Sequence, residues 1–308
     1  MSMGNVGRRE FRRTKKYFFS IAPAFRLAQD MVIFVSGTVI MQIPPIPRLS
    51  HLVRHFLILE SPGPEKTIHR LIPDGNPGIV FNYGAAFEGY GAPLHSYGGG
   101  SQLFPASFVY GQVTRPHPLA STGRIGAFIV VLQPYALALL TGLPANSFTD
   151  RVLPLGQVWG GEAAVLERQL LNATGDQQRL DMVQRFLLQR DALLPDPAIT
   201  YSVDWLANQE APGIEALASE LGIARRTLER IFQRGIGVSP KQFAGILRTQ
   251  HFLKALHQTE SLTQLAYEFG YYDQSHLIRD FKTKTGITPG KYFAARDALA
   301  LNFIQFAG

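Results

Sequence analysis

Apolar and polar positions along the 308-residue chain change their spacing twice. From about Pro44 to Gln133 the apolar residues come in short runs: His55-Phe-Leu-Ile-Leu59, Gly78-Ile-Val-Phe-Asn82, Ser107-Phe-Val-Tyr110 and Gly126-Ala-Phe-Ile-Val-Val-Leu132. Turn residues separate them, at Ser61-Pro-Gly-Pro64, Pro73-Asp-Gly-Asn-Pro77 and Gly98-Gly-Gly100. Short β-prone runs punctuated this way predict a β-sandwich or a small barrel. From about 161 to 194 the spacing becomes helical. Val165, Leu166, Gln169 and Leu170 share one face, Leu180, Val183, Phe186 and Leu187 share another, and the break at 172–176 makes a helical hairpin. Pro195-Asp196-Pro197 reads as a linker, and from Ile199 to about Arg296 helical spacing dominates.

The last segment contains an internal repeat. Leu217, Ala218, Glu220 and Gly222 recur 48 residues on as Leu265, Ala266, Glu268 and Gly270. Leu228, Arg230, Phe232, Gly237 and Pro240 recur 49 residues on as Leu277, Arg279, Phe281, Gly286 and Pro289. Ordered identities over so short a span mark a duplicated supersecondary unit. In each copy a short helix carries Leu and a small Ala on its apolar face, which lets a second helix approach. A glycine follows where the backbone turns left-handed. The second helix packs through Leu228, Ile231 and Phe232, or through Leu277 and Phe281. Two helices joined by a short glycine-containing turn form a helix-turn-helix. Each unit closes with Gly-x-Ser/Thr-Pro, at 237–240 and 286–289, predicting one helix end and a capped, proline-led start of the next. Asp273 is placed to cap the second helix of the second unit, and Ser261 with Gln264 reads as a capping box.

The outward faces of the second helices carry the candidate chemistry: Arg225, Arg226, Glu229 and Arg230 in the first unit, and Gln274, Ser275, His276, Ile278 and Arg279 in the second. Arginine suits guanine edges and phosphates, and glutamine suits adenine. The stretch Gly270-Tyr-Tyr-Asp-Gln-Ser-His-Leu-Ile-Arg-Asp-Phe-Lys282, followed by Gly286-Ile-Thr-Pro289, resembles the AraC/XylS family of bacterial regulators. The resemblance covers residues 199–296. It implies seven helices whose two recognition helices enter successive major grooves about 34 Å apart. It places base reading on Arg226, Glu229 and Arg230, then on Gln274, Ser275, Ile278 and Arg279. Three residues depart from the family pattern. Ala224 stands where a capping serine is usual, a loss of about 1 kcal/mol. Tyr271 replaces a phenylalanine. Glu229 would repel phosphate, so it is expected to face a base edge or pair with Arg226.

The resemblance also implies a sensor or dimerisation domain ahead of the DNA-binding domain, often a cupin-like β-barrel. Leu71-Ile-Pro-Asp-Gly75 resembles a turn in some of these sensor domains. The expected fold is therefore α+β: a basic, disordered extension at 1–40, a β-rich (cupin-like barrel) domain with the helical hairpin at 41–195, and an all-α double helix-turn-helix domain at 199–297. The expected function is sequence-specific transcription regulation controlled by an effector at the N-terminal domain. Expected partners are double-stranded promoter DNA, a small-molecule effector, RNA polymerase and a second copy of the chain, with no membrane. The rival reading is an architectural protein that binds DNA without sequence preference.

Charge and composition narrow this reading. The net charge of +7 divides into +5 over residues 1–16, zero over 17–198 and +2 over 199–308, so DNA binding rests on where the cations sit. The basic start (Arg8, Arg9, Arg12, Arg13, Lys15, Lys16) is not followed by a signal-peptide core, because Pro23, Arg26, Gln29 and Asp30 interrupt it. It reads as a flanking arm or an over-long start, with Met31 or Met41 as initiator; the alternative is an arm that touches DNA phosphates. Met31 to Ile43 is too short to span a bilayer. The chain has no cysteine, which excludes disulfides, thiolate metal sites and thiol nucleophiles, and fits a cytoplasmic location. It also excludes DNA-repair enzymes of the Ada type, which need an acceptor cysteine. His51, His55, His69, His95 and His117 form no metal-binding pattern and are expected at or near the surface. No catalytic residue, metal or cofactor is expected.

Overall fold

A computed structural model describes residues 31–294 except 36–37, 62, 64–66, 90–101, 191–193, 209–212 and 259–261. The chain folds into a β-rich domain followed by a helical one. The β-rich domain has strands β1 (Met31–Val35), β2 (Thr38–Ile43), β3 (Val53–Ser61), β4 (Thr67–Leu71), β5 (Gly78–Asn82), β6 (Phe87–Gly89), β7 (Gln102–Leu103), β8 (Ser107–Tyr110), β9 (His117–Ser121), β10 (Ile125–Leu132) and β11 (Val152–Pro154). Every pairing is antiparallel. Seven strands form one sheet in the order β1-β2-β3-β10-β5-β8-β11, and four form a second in the order β4-β9-β6-β7. Among the described residues the sheets stay separate, so the domain is two facing sheets and the expected barrel does not close.

The large sheet is buried on both faces, which explains its continuous apolar runs. On β10, Phe128, Val130 and Leu132 point to one core with Phe56, Ile58, Ile79 and Phe81. The alternate residues Ala127 and Val131 join Leu57, Leu59, Val80 and Phe87 in a second core against the small sheet. Period-two geometry sends successive side chains to opposite faces. Both sets are apolar here because both faces are covered.

The first face is covered by α1 (Ala136–Thr141), α2 (Leu155–Leu171) and α3 (Asp176–Leu188). Leu166 and Leu170 on α2, with Leu180, Val183, Phe186 and Leu187 on α3, belong to the same core as the sheet. Gly160, at φ +60°, breaks α2 into a first turn from Leu155 and a main helix from Gly161, so the hairpin starts where expected, and it packs on the sheet. Arg190 lies over the Phe186 ring, 3.3 Å from its centroid, and pairs with Glu162 at 3.2 Å.

The helical domain has seven described helices: α4 (Pro197–Ala207), α5 (Ile214–Glu220), α6 (Arg225–Gly235), α7 (Pro240–Gln258), α8 (Leu262–Glu268), α9 (Gln274–Thr285) and α10 (Pro289–Ala294). Two expected boundaries move. The sheet begins at Met31, so a domain start at 41 cuts through the β1–β2 hairpin. Residues 195–197 are not a free linker: Asp196 caps α4, its Oδ1 accepting from the Ala198 N–H at 2.8 Å, with Pro197 in the first turn. Residues 1–30, with the basic arm, lie outside the described residues, as does Ser261 of the expected capping box.

The two domains share a buried seam. The loop from β4 to β5, residues 71–76, lies against α7. Gln250 on α7 donates from Nε2 to the Pro73 carbonyl at 2.6 Å, and Gln112 donates to the Gly75 carbonyl at 2.8 Å. Ile72 is buried in the second helical unit's core with Phe252, Leu256 and Leu277. A second contact joins Thr149 Oγ1 to the Gly237 carbonyl at 2.6 Å. Gly75 has φ +83°, and a Cβ there would sit 3.2 Å from Phe243. Gly75→Ala is therefore expected to lower stability by about 1–3 kcal/mol. Gly245, on α7, has open space around it; Gly245→Ala should gain up to about 1 kcal/mol. Chemical denaturation midpoints of the two variants should move in opposite directions.

Candidate nucleic-acid interface

The repeated units fold alike for local reasons. Gly222 and Gly270 adopt φ +64° and +71°, the left-handed turn expected between the helices of each unit. In both copies the next residue donates back to the conserved alanine: Ile223 N–H to Ala218 O at 3.0 Å, and Tyr271 N–H to Ala266 O at 2.8 Å. These Schellman-type bonds satisfy carbonyls at the helix end. Leu217, Ala218, Leu228 and Phe232 form the first core, and Leu265, Ala266, Leu277 and Phe281 the second. Asp273 Oδ1 accepts from the His276 N–H at 2.7 Å and caps α9. Ala224, at the matching position of α6, makes no side-chain cap. Ser239 and Gln242 form a reciprocal capping box at the start of α7.

Burial of Leu228 and Phe232 on α6, and of Leu277, Phe281 and Thr285 on α9, fixes which side of each helix faces out. Arg225, Arg226, Glu229 and Arg230 are exposed on α6, as are Gln274, Ser275, His276 and Arg279 on α9. Within these faces the structure separates roles. Arg225 donates to Glu215 of α5 at 2.5 Å and to Glu229 at 3.3 Å, so it braces the unit. Glu229, expected to face a base edge or pair with Arg226, pairs instead with Arg225, because Glu215 of α5 lies on that side of α6 and draws Arg225 there. Among the described residues, Arg226, Arg230 and Arg279 make no ion pair. Arg230 also borders a groove shared with Tyr135 and Leu139, where α1 lies beside α6.

In the second unit, Ile278 is half-buried and packs against the core, so it offers less outward surface than its companions. The His276 ring meets Tyr271 edge-on at 5.3 Å. Tyr271 in turn donates its hydroxyl to Asp280 Oδ2 at 2.5 Å, and Lys284 reaches the same oxygen at 2.8 Å. Burial pushes the Asp280 carboxyl up, but the bonds from Lys284 and Tyr271 outweigh it and hold the group below the usual carboxylate range. The tyrosine that replaces the family's phenylalanine thereby gains a polar anchor on α9. One position escaped the sequence reading. Lys282 is exposed one turn beyond Ser275 and Arg279, and the 49-residue offset aligns it with Gln233 on α6. The repeat gave no signal for it, since Gln233 is neither basic nor fully exposed, but the helical spacing of Ser275, Arg279 and Lys282 did.

Residues 217–295 match a family described as a helix-turn-helix domain. The C-terminal domain is an AraC-type helix-turn-helix domain. Residues 41–154 match a domain of unknown function, DUF6597. Among curated relatives, the HTH-type transcriptional activator RhaS of Escherichia fergusonii is 27% identical over 140 residues, covering 42% of this chain and 50% of that protein. RhaS of Salmonella paratyphi B is 28% identical over 141 residues, covering 44% and 49%. The chain thus spans about half the length of the curated relatives it matches. Among solved structures, ToxT from Vibrio cholerae aligns with a TM-score of 0.43 at 12% identity, covering 77% of this chain and 98% of that one. A transcriptional regulator from Chromobacterium violaceum aligns with a TM-score of 0.28 at 26% identity, covering 32% and 88%.

The β-rich domain holds a cavity of about 90 Å³ between its sheets. Leu57, Leu59, Val80, Phe108, Ile129 and Val131 form apolar walls, and His55, Asp74 and Tyr110 supply polar groups. The expectation of surface or half-buried histidines is corrected for two of them. His55 and His117 are buried because their positions on β3 and β9 face the sheet interior, whereas His51 is half-buried. The His69 and His95 side chains lie outside the described residues. No helix among the described residues is long and apolar enough to cross a membrane.

Ala224→Ser should add about 1 kcal/mol by capping α6, read as a higher denaturation midpoint. Burial, helped by Arg54, lowers the His55 pKa to about 4 from its ordinary 6.5. A group whose folded pKa is depressed contributes stability above its unfolded pKa and loses it as pH falls. His55 should therefore cost about 3 kcal/mol as pH drops from 6.5 through 4. His55→Phe should flatten the pH dependence of the denaturation midpoint in that window.

Proposed function

We propose that the protein is a sequence-specific transcription regulator whose AraC-type domain reads two adjacent major grooves, with the β-rich domain as its effector-responsive part. The observation that carries this reading is the duplicated outward face. Arg226 and Arg230 on α6, and Ser275, Arg279 and Lys282 on α9, stand exposed on second helices of equivalent units. Arginines with no ion-pair partner among the described residues are available for guanine edges or phosphates, while Ser275 and Gln274 add short-range readers of base edges. Two such helices on one rigid domain serve successive grooves of a single DNA face, spaced about 34 Å apart. Promoter DNA is then the first partner and RNA polymerase the second, which places the protein in the cytoplasm. Catalysis has no part in this reading.

Selection from random duplex DNA by the full chain should enrich a bipartite motif with half-sites one helical turn apart. On the enriched site, Arg279→Ala should weaken binding by about 1–3 kcal/mol and relax preference in one half-site only. Lys282→Ala should weaken all sequences alike and flatten the salt dependence. Binding with no enriched motif, and equal loss on unrelated DNA for both variants, would establish the architectural alternative instead.

A further inference from the structure

The cavity between the sheets and the seam with α7 are built from the same loop. Leu71, Ile72 and Asp74 line the cavity. One residue along, the Pro73 carbonyl accepts from Gln250, and Gly75 rests against Phe243, Ile246 and Leu247 of α7. The loop is stiff. Asp74 Oδ1 accepts from the Asn76 N–H at 3.0 Å, Asn76 Nδ2 donates to the Asp74 carbonyl at 3.2 Å, and Arg54 reaches Asn76 Oδ1 at 3.4 Å. A group that pushes on Asp74 from inside the cavity therefore displaces the seat of the helix that joins the two helix-turn-helix units.

The lining defines what fits. The cavity of about 90 Å³ is smaller than the roughly 150 Å³ engineered void that holds benzene. Phe104 and Leu119 on its small-sheet side are only half-buried, and entry of one ring requires them to move outward. Among the described residues the lining has no Lys or Arg. An ionised ligand, carboxylate or ammonium, would be stripped of water in this apolar space, at a cost of several kcal/mol, and Arg54, the near cation, is already turned to Asn76. Burial lowers the His55 pKa to about 4, and burial favours the neutral forms of Asp74 and Tyr110.

We propose that this cavity binds a small uncharged apolar molecule, about one ring in size and bearing one hydroxyl or amide group, and that residues 71–76 report its presence to α7. The proposal rests on the regulator reading for its consequence, though not for the binding itself.

The test is calorimetric titration of the full chain with benzyl alcohol, benzylamine and benzoate. Benzyl alcohol should bind, with both charged probes about tenfold weaker or worse. Leu119→Trp and Val80→Phe fill the cavity from opposite sheets and should abolish the heat; circular dichroism shows which variant stays folded, and the calorimetry of that one decides. Failure of benzyl alcohol to bind, equal binding of a charged probe, or binding that survives in a folded filled variant would overturn the site. At saturating benzyl alcohol, affinity for the selected DNA should change about fivefold or more, and Gln250→Leu should remove that change. An unchanged affinity would overturn the coupling. Benzyl alcohol that titrates normally into a chain that selects no DNA motif would leave the ligand site standing and count against the regulator reading alone.

Discussion

Gln250 sits inside the seam between the domains and donates to a carbonyl 177 residues earlier in the chain. A buried carbonyl left unmade would cost about 1–3 kcal/mol, so the loop and the helix hold each other in one position. Around this bond the packing is apolar: Ile72 enters the core of the second helix-turn-helix unit, and Gly75 lets the backbone approach Phe243. The β-rich domain thereby completes the core of the helical one. The orientation of α7, which carries both helix-turn-helix units, follows from that seat.

Outward from α7, each unit is organised by its own short-range chemistry. The left-handed glycine, the small alanine beneath it and the paired leucines set the crossing of the two helices. They leave the basic strip exposed as a by-product of burying the opposite face. The copies differ in how they are trimmed. Arg225 spends its charge on Glu215 and Glu229, whereas the second unit ties Tyr271, Asp280 and Lys284 together behind α9. Those pairings, more than the total count of cations, decide which charges on the outward faces are already engaged within the protein.

The repeat, its glycine turns, the Asp273 cap and the missing cap at Ala224 were all legible in the sequence. So was most of the outward face, since exposure of Arg226, Arg230, Ser275 and Arg279 follows from where the leucines and phenylalanines fall. Less legible were the partner of Glu229, the half-burial of Ile278 and the part open to Lys282. Choosing between Arg225 and Arg226 requires knowing which side α5 lies on, and Ile278 sits at the border of the apolar stripe. In the β-rich domain the apolar runs announced strands but not their layering. Continuous Phe-Ile-Val-Val on β10 is compatible with a barrel wall or a doubly covered sheet, and only the docking of α1–α3 on one face and the small sheet on the other selects the second.

By itself the sequence determined the features that depend on near neighbours: helical period, turn glycines, capping residues and the duplication of a unit that recurs after 48–49 residues. These are encoded within a few residues because backbone conformation and helix-end hydrogen bonds are local. The tertiary structure alone decided the role of the Pro-Asp-Gly turn. As sequence it was punctuation between two strands; in the fold it is at once a cavity wall and the seat of α7. Its burial comes from groups far along the chain, and no local periodicity records a contact made across that distance.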